Sequence, residues 1–326
     1  MKYKLKLLFL LAVVNLSAQE KPVILASASM IADMAKQVGG NLINLQTLVP
    51  IGGDPHLYEP TPGDARKVVA ADIILINGLT FEGWINELIE NSGTQAKVIV
   101  VTNGINPIKS SVYENAVDPH AWMDAANGIV YAANIKDALI EELPSKKEQV
   151  LDQFNQYTDQ LKSLDQEIIS AIQSIPEKQR YLITSHDAFH YYGSKYGIKT
   201  ESILGTSTDA DAQTSDIIRL NKIIEENKIP SVFIETTVNP KLLQSLAKDN
   251  KISIGGKLYS DSLGDENSPA STYIDMLRYN TKVIVEALTK PIEYVEEEEV
   301  SSNTLLIVLL AAAFILGFVI LLKYIK

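Results

Sequence analysis

Between residues 22 and 143 short apolar runs alternate with stretches of helical spacing, and after one long periodic segment the same alternation begins again. Apolar runs at 23–26, 42–49, 73–77 and 97–101 read as strands, and helical spacing falls at 29–38, 64–70, 81–91 and 120–142. From residue 177 on, strands are expected at 181–184, 199–204, 231–235 and 251–254, with helices at 189–196, 214–227, 240–249 and 270–289. Parallel strands need crossover connections, and helices supply them, so this order of elements predicts an α/β fold of two Rossmann-like lobes. Their expected limits are 19–143 and 177–290.

Residues 144–176 join the lobes. Ser145 and Glu148 have capping-box spacing, and apolar side chains recur at Val150, Phe154, Tyr157, Leu161, Leu164, Ile168, Ile172 and Ile175. About thirty helical residues reach roughly 45 Å. One long rigid helix of that length opposes a wide hinge motion, and a ligand site would lie in the cleft between the lobes.

The two ends carry different signals. Lys2, Lys4 and Lys6 precede an apolar run that closes on Ser17-Ala18, the pattern of a signal peptide over residues 1–18. Residues 304–322 contain no charge and are long enough for a transmembrane anchor. An acidic spacer at 291–303 lies before them and Lys323 and Lys326 after them. With the lysines inside, 323–326 is a cytoplasmic tail and the lobes face the periplasmic or extracytoplasmic side of the membrane. The 326 residues contain no cysteine, so stability rests on a large core and no cysteine is present to carry a lipid. The net charge of −11, without a dense run of Lys or Arg, argues against nucleic acid as a partner.

Asp-Pro-His occurs twice, at Asp54-Pro55-His56 and Asp118-Pro119-His120, in a chain with four histidines. Proline restricts both its own backbone and that of the preceding Asp, so each imidazole leaves a stiff loop. Without thiols, a transition-metal site must use imidazole and carboxylate, which suits Zn2+, Mn2+ or Fe2+. In open parallel sheets ligands bind beyond the carboxyl ends of strands. His56, His120, His186 and Asp261 all fall there, two from each lobe. His190, Glu59 and Glu235 are placed as neighbours that could orient those ligands; Glu59 and Glu235 also suit helix caps or the surface.

Four segments, Gly53-Asp54-Pro55-His56-Leu57-Tyr58-Glu59-Pro60, Asp118-Pro119-His120-Ala121-Trp122-Met123-Asp124, Thr184-Ser185-His186-Asp187-Ala188-Phe189 and Leu258-Tyr259-Ser260-Asp261-Ser262-Leu263-Gly264, resemble the metal motifs of the cluster A-I (cluster 9) zinc/manganese solute-binding proteins of ABC transporters. The resemblance runs in order over nearly all of residues 22–289. It implies that His56, His120, His186 and Asp261 are the metal ligands, that Zn2+ or Mn2+ is carried as cargo, and that an ABC transporter permease is a partner; members are usually lipid-anchored or free in the periplasm, so the membrane as a partner through the C-terminal helix rests on residues 304–322 and is unusual for the family. Zinc-specialised members often have a His-rich loop before the second ligand, absent from residues 105–117, and many manganese members have Glu where His186 stands. Two alternatives use the same residues: a membrane-anchored zinc hydrolase, and an adhesin-like ectodomain that keeps the fold. A hydrolytic zinc needs an open coordination position, whereas four protein ligands close the site, so the reading is a binding protein and not an enzyme.

Overall fold

The computed structural model describes residues 20–109, 117–208 and 212–289. The segments read as signal peptide, acidic spacer, transmembrane anchor and cytoplasmic tail lie outside the described residues. Among the described residues no helix is long and apolar enough to cross a membrane.

The first lobe is built from β1 (Val23–Ala26), α1 (Ser29–Gly39), β2 (Asn44–Thr47), α2 (Pro62–Ala70), β3 (Ile73–Ile76), α3 (Ile85–Ser92), β4 (Lys97–Val100) and α4 (Ala125–Glu142). The four strands form one parallel sheet in the order β2-β1-β3-β4. Successive strand side chains point to opposite faces. Ile24, Ala26, Ile73 and Leu75 therefore enter a core with α1 and α4, while Leu25, Ile74 and Ile76 pack with Val68 and Ile85 on the other face. α2 starts on a capping box in which Thr61 accepts from the Asp64 amide and the Asp64 carboxylate accepts from the Thr61 amide.

α5 (Lys147–Gln173) is the linking helix, about 40 Å long at 1.5 Å per residue. Val150, Tyr157, Leu161, Leu164, Ile168 and Ile172 are buried along one stripe, as the spacing predicts. The Ser145–Glu148 capping box does not form. Pro144–Lys146 makes a 3-10 turn, and Lys146, not Ser145, stands at the start of the helix without a side-chain cap.

The second lobe contains β5 (Tyr181–Thr184), α6 (His190–Tyr196), β6 (Lys199–Ser202), α7 (Thr214–Asn227), β7 (Ser231–Glu235), α8 (Lys241–Asp249), β8 (Ser253–Leu258) and α9 (Tyr273–Leu288). Its strands pair as β5-β6 and β7-β8, both parallel, rather than as one four-stranded ladder. Gly255-Gly256-Lys257-Leu258, past the end of the strand expected at 251–254, lie in β8; the register shifts beside them at Val232/Phe233. A Cβ at Gly255 would lie 2.7 Å from the Phe233 ring and one at Gly256 closer still to Val283 Cγ1, so neighbouring side chains take the space at both glycines.

The lobes share a core. Leu182, Phe189, Tyr192, Phe233, Tyr273 and Ile284 of the second join Met30, Trp122 and Tyr131 of the first, together with the buried stripe of α5. A separate cluster of Ile183, Ile203, Leu220, Ile224, Val232, Leu243 and Leu246 stabilises the outer part of the second lobe.

Candidate metal centre

His56, His120, His186 and Asp261 come together, each offering one ligand atom, and these atoms all lie within 4.8 Å of one another. Each follows the carboxyl end of a parallel strand: His56 after β2, His120 after β4, His186 after β5 and Asp261 after β8. His120 and His186 are fully buried, Asp261 is 1% exposed, and His56 is half-buried. The Nε2 atoms of His56 and His120 are 3.3 Å apart, His120 Nε2 is 3.4 Å from Asp261 Oδ1, and His186 Nε2 is 3.1 Å from Asp261 Oδ2. Metal–ligand bonds of about 2.0–2.1 Å in a tetrahedron place donor atoms about 3.3–3.4 Å apart. These three separations have that scale. His186 Nε2 and Asp261 Oδ1 are buried and meet polar atoms of the same cluster, as atoms that share one cation would.

Two buried carboxylates stand behind the imidazoles. Asp118 Oδ1 accepts from the His120 amide at 2.9 Å and lies 2.7 Å from His120 Nδ1, leaving Nε2 to face the centre. Glu235, at the end of β7, accepts the amides of Ser185 and His186 with Oε1 at 2.8 and 2.9 Å, while its Oε2 lies 2.6 Å from His186 Nδ1. One carboxylate thus ties the ends of β5 and β7 together and turns the ring. Burial opposes a charged ring on His120, yet Asp118 and Asp261 push it up to about 9. Burial likewise opposes charge on His186, and Glu235 and Asp261 raise it well above the ordinary histidine range. Asp261 is held well below the carboxylate range, against its own burial, by His186 and His120. Without a cation the centre therefore holds protons at neutral pH.

The His56 loop is braced from its own lobe. Trp84 Nε1 donates to the Pro55 carbonyl at 2.8 Å, Tyr58 stacks on Trp84 and donates to Asp64 at 2.7 Å, and Phe81 meets the His56 ring edge-on at 4.9 Å. Phe81 follows Leu79 and Thr80, both left-handed at φ 52° and 66°. Buried Glu82 holds that turn by accepting from the amides of Asn77 and Gly78. On the other side, Asn280 of α9 grips both backbone groups of Tyr259, and Trp122 Nε1 donates to the Ser260 carbonyl at 3.0 Å, which fixes the approach to Asp261.

Of the three supporting residues expected from sequence, only Glu235 lies against one of the four clustered residues, His186. Glu59 is exposed, because the chain turns toward solvent after His56. His190 opens α6 outside the four-residue cluster. Asp118 was not singled out as a support although it belongs to a quoted motif, and Asn280 carries no sequence signal.

Fold and centre together define a two-lobe cleft protein built to enclose one divalent ion. A family model described as zinc-uptake complex component A, periplasmic, matches residues 24–287. The chain belongs to that family. It is 34% identical to the manganese-binding lipoprotein MntA of Halalkalibacterium halodurans, over 82% of this chain and 88% of the relative. It is 33% identical to the metal ABC transporter substrate-binding lipoprotein SsaB of Streptococcus sanguinis, over 84% and 91%. Among solved structures, the periplasmic zinc binding protein TroA of Treponema pallidum superposes with a TM-score of 0.79 at 32% identity, covering 83% of this chain and all of that one. The Mn-bound periplasmic metal binding protein of Candidatus Liberibacter asiaticus gives 0.76 at 31%, covering 82% and 100%.

Proposed function

We propose that this protein captures Zn2+ or Mn2+ outside the cytoplasm and hands it to the permease of an ABC transporter, with His56, His120, His186 and Asp261 as the ligands. The observation that carries the reading is the set of three imidazoles and one carboxylate within 4.8 Å, two of the imidazoles backed by buried carboxylates. Three nitrogens and one oxygen suit Zn2+, and the same donors accept Mn2+ and Fe2+, with availability deciding which is carried. Lobes at 19–143 and 177–290 and anchoring by 304–322 belong to the same reading. Relatives are named as lipoproteins, and this sequence has no cysteine for such a link, which supports a C-terminal span in that role.

Calorimetric titration of the metal-stripped full-length chain with Zn2+ and with Mn2+ tests it. One site per chain tighter than about 1 µM, near −8 kcal/mol, is expected. No binding tighter than about 10 µM for either ion refutes it.

A further inference from the structure

Three of the four ligands are sealed in the protein, and His56 alone is in part exposed. Its neighbours on the loop, Ile51 and Leu57, are 56% and 53% exposed, so solvent lies on the His56 side. An ion entering or leaving passes there, and the loop from Gly52 to His56 must yield. What holds that loop against the second lobe sets how easily it yields.

Hydrogen bonds between described residues cross from it to the second lobe. The Gly52 amide donates to Ser262 Oγ at 2.7 Å, beside Asp261. Thr208 Oγ1 donates to Asp54 Oδ2 at 2.6 Å across 154 positions of sequence. Asp54 uses its other oxygen, Oδ1, to accept from the His56 amide at 2.9 Å. One carboxylate thus joins the backbone of a ligand to a hydroxyl of the opposite lobe. The side of Thr208 is itself laced to His186: the Leu204 amide donates to the Ser185 carbonyl at 2.9 Å and the Asp187 amide to the Gly205 carbonyl at 3.0 Å.

Further described side-chain bonds between the lobes lie elsewhere. Trp122 to Ser260, Leu263 to Ser29 and Tyr273 to Asp33 hold the segment around Asp261, and Tyr191 and Tyr196 of α6 reach Ile108, Asp118 and Ala125. Those contacts hold the base of the cleft. Thr208–Asp54 sits at its mouth.

We infer that Thr208 is a positioning residue for metal retention: it holds Asp54, and through it His56, across the mouth of the cleft and sets the rate at which the ion escapes. The inference rests on the metal-capture reading and adds to it a residue that is not a ligand. Asp118, in the same tripeptide as Asp54, spends its carboxylate on its own imidazole instead. The two Asp-Pro-His motifs thus divide the work, one orienting a ring and one closing the mouth.

Thr208→Val keeps the shape of the half-buried side chain and removes only the donor, and Thr208→Ser restores a donor. Full-length protein in detergent is loaded with Zn2+ or Mn2+, and dissociation is followed by stopped-flow mixing with excess chelator. Thr208→Val should speed dissociation about tenfold, the worth of one hydrogen bond to a charged acceptor. Thr208→Ser should lie within about twofold of wild type. An unchanged rate in Thr208→Val, or equal acceleration in both variants, overturns the inference. Failure of the wild type to bind either ion overturns instead the capture reading beneath it.

Discussion

Glu235→Gln probes the centre through a residue that does not bind the ion, and its effect should depend on pH in a way ordinary loosening would not. Glutamine keeps an oxygen for the Ser185 and His186 amides, bonded at 2.8 and 2.9 Å, but places an uncharged group where Oε2 lies 2.6 Å from His186 Nδ1. Two consequences oppose each other. Loss of the orienting carboxylate behind a metal-binding imidazole typically costs 10–100-fold in affinity, or about 1.4–2.8 kcal/mol. Against this, Glu235 raises the His186 pKa, so the wild type must expel a proton to take the ion; each unit by which the variant lowers that pKa returns about 1.4 kcal/mol wherever the wild-type ring is protonated. The penalty should thus be smallest at about pH 6 and should approach the full 10–100-fold only at high pH, where the wild-type ring is also neutral. Competitive Zn2+ titration against a chelator of known affinity at about pH 6, 7.5 and 9 measures the ratio. A ratio that does not change with pH, or no weakening at the highest pH, would refute the reasoning.

Other outcomes follow from the same geometry. His120, pushed up to about 9, holds its proton at neutral pH, so affinity should rise with pH through that value, not level off near 6.5; calorimetry in buffers of differing ionisation enthalpy should register proton release. The sign for the apo protein is the reverse. Because the folded pKa is raised, the stabilisation from a protonated His120 is complete below about 6.5 and lost as pH rises through about 9, so the gain in melting temperature on loading should widen over that window. His120→Ala should abolish tight binding and also cost about 2–4 kcal/mol of apo stability by denaturant melting, since it opens a cavity beside Trp122 and leaves buried Asp118 with the residue-120 amide but without the imidazole; an unchanged apo midpoint contradicts this. Leu164→Ala, in the fully buried stripe of α5, should cost about 2–5 kcal/mol while leaving metal affinity within about threefold. A large loss of affinity there would show that the helix positions the site as well as joining the lobes.

Much of this protein is decided locally. Alternating apolar runs specify parallel strands with covered faces, and the spacing from Val150 to Ile172 specifies the buried stripe of α5, because both patterns repeat with the period of the structure that buries them. The three imidazoles and Asp261 are legible for a topological reason: each lies in a connection that follows the carboxyl end of a strand, where an open α/β sheet leaves its cleft. The Ser145–Glu148 cap, by contrast, has the right letters and does not form, since a 3-10 turn displaces the start of the helix. What only the tertiary structure decided is which polar groups are taken out of water and what they meet there. Glu59 and Glu235 are equal candidates on paper; one is exposed and the other lies 2% exposed against His186, and burial makes the difference between a surface charge and a ring-orienting carboxylate. Asp54 and Asp118 stand in identical tripeptides, yet one reaches Thr208 across the cleft and the other turns back to its own imidazole. Those partners are set by how distant segments pack, and distance through space is not written in the order of residues along the chain.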